Sequence, residues 1–182
     1  MSKFFQTLIK PTSYKINKGN VKLVREEVDY FVKYPDVMEG HVHINQVGEN
    51  IDIMLTKDFP GEKPVVINLN NLQTCKISLE SGVINSEAVC PNMKVRVNSG
   101  TLSANISKHN MASVKADVDT GVLNNHSNLA KVQSNDGMFG NFMNMGFMQD
   151  MGIGFNNHIE LMGNGTSHAT FEVGSGTMDL SS

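Results

Sequence analysis

Five stretches of this chain repeat one pattern around a glycine, and that pattern limits the fold more than any other feature. They span residues 76–85, 94–103, 115–124, 131–140 and 170–179, around Gly82, Gly100, Gly121, Gly137 and Gly176. The glycines fall 18, 21, 16 and 39 positions apart, the last gap being about two periods of the kind that marks stacked repeats. Five places before the glycine stand Ile77, Val95, Ala116, Val132 and Phe171, and three before it Leu79, Val97, Val118, Ser134 and Val173. Two places after it come Ile84, Leu102, Leu123, Phe139 and Met178. The column between the first two is polar: Ser78, Arg96, Asp117, Gln133 and Glu172. Period-two alternation of this kind describes a short strand with one buried face and one wet face. Small polar residues (Ser81, Ser99, Thr120, Asp136, Ser175) precede each glycine, as a turn requires. No single copy can bury its own apolar face, so the copies must stack around a shared core. The expected fold is therefore all-β: a β-solenoid of about five or six turns.

Residues 1–20 read as an N-terminal extension and 21–182 as the solenoid domain, with the repeats over about 65–182. Residues 21–25 and 28–32 suggest a first pair of strands. Residues 41–45 and 51–55 flank Val47-Gly48-Glu49-Asn50 as a hairpin. The first ten residues are too polar for a secretory leader. Phe4, Phe5, Leu8 and Ile9 would share one face of a helix ended by Pro11, and with six basic residues before Glu26 they suggest an organellar presequence. The expected location is intracellular, cytoplasm or mitochondrial matrix. Cys75 and Cys90 fall in neighbouring copies and would meet if stacked; without a leader, two reduced thiols are the expectation.

The recurring Lys-Val-x-Val-x-Ser-Gly-x-Leu units, the hairpin feeding Val65-Val66-Ile67-Asn68-Leu69, and the closing Glu172-Val173-Gly174-Ser175-Gly176-Thr177-Met178 resemble the bacterial putative-adhesin family, a domain of unknown function related to head-GIN domains. The resemblance covers about residues 20–182. It implies a single-stranded β-helix of short stacked strands and no catalytic residues to carry over.

Chemistry is sparse. A net charge of −3 offers no field for nucleic acid. His41 and His43 would project to the same side of a strand at a spacing that suits a metal, but nothing nominates further ligands. Asp117, Asp119 and Asp136 would fit the stacked carboxylates of polysaccharide-cleaving β-helices, yet their columns elsewhere hold Ser78, Arg96, Gln133 and Asn98. Lys76, Lys94, Lys115 and Lys131 share one column and would form a solvated row. No cofactor, metal or catalytic residue is expected. Residues 137–157 form a Met/Phe/Gly-rich insertion. Phe142, Met143, Met145, Phe147, Met148 and Met151 are its candidate partner-binding residues, since methionine makes adaptable apolar contacts. The expected function is a non-catalytic scaffold or protein-interaction module, possibly a subunit of a larger assembly, with a protein partner rather than nucleic acid, membrane or small molecule. Two alternatives remain open: a carbohydrate-binding surface adhesin, and a polysaccharide-active enzyme.

Overall fold

The alternation of each copy becomes one arm of a long strand, and its glycine becomes the bend into a second arm. The computed structural model describes residues 2–59, 64–106, 111–131 and 157–181. The chain is all-β: β1 (Ser2–Phe5), β2 (Ser13–Val24), β3 (Val32–Pro35), β4 (Val42–Val47), β5 (Asn50–Leu55), β6 (Val65–Asn68), β7 (Thr74–Ser86), β8 (Asn92–Asn105), β9 (Met111–Asn125), β10 (Ala130–Lys131), β11 (Asn157–Met162) and β12 (Ser167–Ser181). They share one open sheet whose main path runs β1-β3-β6-β2-β7-β8-β12-β9-β11-β10. β4 and β5 branch from it as the expected hairpin, with Val42 opposite Leu55 and Val47 opposite Asn50.

Five long strands, β2, β7, β8, β12 and β9, lie side by side in parallel and in register. Gly19 pairs with Gly82, Gly82 with Gly100, Gly100 with Gly176, and Gly176 with Gly121. The third residue before each glycine and the second after it are five apart, an odd count that would put them on opposite faces of a flat strand. A glycine with φ near +140°, as at Gly100, breaks that alternation and turns both inward. Val97 and Leu102 accordingly both show 0% exposure. Three buried rows then cross the stack: Tyr14-Ile77-Val95-Phe171-Ala116, Ile16-Leu79-Val97-Val173-Val118, and Val21-Ile84-Leu102-Met178.

Several expectations are corrected. The boundary between residues 20 and 21 falls inside β2, which is itself a copy, with Tyr14, Ile16 and Val21 in the apolar columns. Lys18 stands where the other copies have Ser, Thr or Asp, and the distance from Gly19 to Gly82 hides the period. The copies do not stack in chain order, because β12 sits between β8 and β9. There the large Phe171 lies beside the small Ala116, so the two volumes complement each other. The 39-residue gap between Gly137 and Gly176 contains β11, but this strand runs antiparallel to β9 and is not another copy. The N-terminus forms a strand, β1, paired antiparallel with β3, rather than a helix. Residues 28–31 are not a strand. They wrap around Asn68, whose side chain is buried and donates to the Glu26, Val28 and Tyr30 carbonyls while accepting from the Glu26 and Asn70 amides. Cys75 and Cys90 are joined in a disulfide with Cα atoms 6.8 Å apart, not reduced, because the connection after β7 folds back over the start of that strand. Of the copy at 131–140, Lys131 ends β10 opposite Leu161, and residues 132–140 lie outside the described residues.

Candidate functional site

The outward side chains of the first arms form a charged ladder across the sheet. In-register pairing puts Ser78, Arg96, Glu172, Asp117 and His158 in one row across β7, β8, β12, β9 and β11. A second row holds Lys76, Lys94, Thr170, Lys115 and Glu160. The expected unbroken lysine column is therefore interrupted: Thr170 stands between Lys94 and Lys115, and Lys131 lies two strands beyond, opposite Leu161.

Charges of both signs share this face, and several of the groups engage one another. Glu172 accepts from Arg96 Nη1 at 3.1 Å and faces Lys94 Nζ at 3.5 Å. Arg96 also donates from Nε to Asn98 Oδ1 at 2.7 Å and has Asp119 Oδ2 3.9 Å from Nη2. Asn98 in turn donates to Glu80 Oε2 at 2.7 Å. Individually such exposed pairs contribute about 0–1 kcal/mol, so their value lies in fixing a pattern of charge.

At the far end, His158 sits between two carboxylates. Its Nδ1 is 2.5 Å from Asp117 Oδ1 and its Nε2 is 3.3 Å from Glu160 Oε1. Two acceptors satisfy two ring nitrogens only when both carry protons. Partial burial pulls the imidazole pKa down, but the hydrogen bond and charge of Asp117, and then those of Glu160, outweigh it, and the pKa stands above the ordinary value. The repeat does not announce this group, because His158 and Asp117 are brought together by antiparallel pairing outside it.

The other expected residues are not gathered here. His41 precedes β4, is half-buried, and bonds through Nδ1 to Thr56 Oγ1 at 3.2 Å, whereas His43 is exposed on the strand. No group of three His, Cys, Asp or Glu suited to a metal occurs among the described residues. Asp136 and the partner-binding candidates Phe142, Met143, Met145, Phe147, Met148 and Met151 lie outside the described residues. No helix among the described residues is long and apolar enough to cross a membrane.

No family model matches the sequence, and no curated protein matches it. A solved structure described as a putative cell adhesion protein from Clostridium sporogenes is similar at 11% identity and a TM-score of 0.49, covering 100% of this chain and 97% of that one. A likeness this distant carries no conclusion about what this chain does.

Proposed function

We propose that this chain is a non-catalytic scaffold, a β-solenoid that holds its charged face flat and in fixed register for a protein partner. The observation that carries this reading is the in-register stack of Gly19, Gly82, Gly100, Gly176 and Gly121. Such a stack fixes the spacing of every outward side chain at about 4.8 Å from strand to strand. Of the candidate acids on this face, Asp117 is held by His158 and Asp119 lies 3.9 Å from Arg96 Nη2, which supports presentation over catalysis. Fixed charge patterns favour specificity and orientation in protein association. The Met-rich residues 141–152 are assigned the adaptable apolar contact on their sequence alone, since methionine packs against varied surfaces. The Cys75–Cys90 disulfide favours an oxidising compartment rather than the intracellular location expected from the sequence.

Deleting residues 141–152 tests the assignment. The variant is expected to keep the thermal midpoint of the full chain while losing at least fivefold of its partner in a pull-down. Equal recovery from both proteins would refute the docking role.

A further inference from the structure

The second arms of the same strands carry an open polar groove of about 540 Å³. Along its lining lie Asn20 and Lys22 of β2, Asn85 of β7, Ser103 and Asn105 of β8, and Ser181 of β12. These residues stand one, three or five places after their glycines, the columns that point away from the core. Lys22 Nζ lies 3.4 Å from Glu87 Oε1, so the two charges bordering the groove offset each other. The apolar residues in the lining are Pro64 and Ala104.

Two atoms here are out of place for a surface that binds nothing. Asn20 Oδ1 and Asn105 Oδ1 are buried and have no hydrogen-bond partner among the described residues. An amide oxygen removed from water without a donor is destabilising, and native structures keep few of them. Two strand steps and four residue steps separate them, roughly 16 Å along the sheet. One small ion cannot serve both. Each needs an N–H or O–H donor, and a single ligand that supplies both must extend across the strands.

We propose that this groove binds an uncharged, polyhydroxylated chain, a neutral oligosaccharide laid across β2, β7, β8 and β12. Hydroxyl groups donate to the two orphan oxygens and also accept, and Asn85, Ser103 and Ser181 can answer in either role. The neutralised Lys22–Glu87 pair gives no preference for an anionic glycan. An extended peptide would bring apolar side chains for which the lining provides only Pro64 and Ala104. Strands about 4.8 Å apart present the polar groups at a repeat, which suits a repeating ligand. The inference is independent of the scaffold reading, because the charged ladder lies on the first arms and the groove on the second.

The test is calorimetric titration of the full chain with cellotetraose, maltotetraose and chitotetraose, using tetragalacturonate and an extended polyalanine peptide as comparisons. At least one neutral tetrasaccharide should bind, and bind more tightly than either comparison. Asn105→Leu removes an orphan oxygen, so it should weaken binding at least tenfold while leaving the thermal midpoint equal or higher. Ser103→Tyr, at a partly exposed outward position, should block the groove and abolish binding. Absence of binding to all three neutral probes overturns the proposal. So does preference for tetragalacturonate or the peptide, or binding that both variants leave intact.

Discussion

Replacing Gly100 by alanine puts the stack itself under test. Gly100 has φ +140°, a region that side-chain-bearing residues avoid, at a cost of about 1–3 kcal/mol. The added methyl carbon would also lie 1.8 Å from the Gly82 carbonyl oxygen and 2.8 Å from its carbonyl carbon, backbone atoms of the neighbouring strand. Relief requires β7 and β8 to part by more than an ångström, weakening several interstrand hydrogen bonds that contribute about 0.5–1.5 kcal/mol each. The sum is about 4–8 kcal/mol, a large share of the 5–15 kcal/mol typical of a folded domain. Gly48→Ala is the matched control: φ is +60° in the hairpin turn and no atom lies within 4 Å of the added carbon, so about 1–2 kcal/mol should be lost. Urea unfolding of both variants, read by linear extrapolation, separates the two cases. Similar losses for the two, or a loss below about 2 kcal/mol for Gly100→Ala, would refute the close glycine-over-glycine approach.

The order of the stack is checked by cross-linking. Cysteines at Thr101 and Thr177, which pair in register, should oxidise to a disulfide, whereas cysteines at Thr101 and Val122, with β12 between them, should not. Reducing the Cys75–Cys90 disulfide should lower stability by about 3 kcal/mol, the loop-closure value for a loop of that size, and the urea midpoint with and without reductant measures it. Asn68→Ala should cost about 2–4 kcal/mol, because it strips partners from the Glu26 and Asn70 amides and from three carbonyls; a thermal melt within a degree of the parent would contradict the wrapping role. His158 has a raised folded pKa, so its stabilising contribution is complete below the unfolded imidazole value near 6.5 and fades as pH rises through the folded value. An NMR titration should place His158 above that value, and Asp117→Asn should bring it down.

The sequence displays the period, the inward columns and the turn glycines because each copy must alternate to bury Val97- or Leu79-type side chains. Order within the stack is a different matter. Any two copies match each other equally well, so nothing local distinguishes Lys115 or Thr170 as the neighbour of Lys94; the choice depends on volumes such as Phe171 against Ala116. The copy around Gly19 escapes notice because Lys18 replaces the small polar residue and four other strands intervene before Gly82. Asn68 reads as one polar residue in an apolar run, and only the folded loop shows why it is buried. The charged ladder was half legible: its columns were visible, but the pairing of His158 with Asp117 depends on an antiparallel strand outside the repeat. The groove on the second arms was invisible to pattern reading, since its columns hold unremarkable Asn and Ser.

The insertion of β12 between β8 and β9 has a consequence for biogenesis. During synthesis, β8 and β9 emerge within a few seconds of one another, yet the edge of each that faces β12 stays open until residues 167–181 have left the ribosome. In the interval their facing edges stay unsatisfied and are free to join each other in the wrong order or to recruit another nascent chain. Assembly of this half of the molecule thus waits on long-range pairing, and is slow in proportion to it.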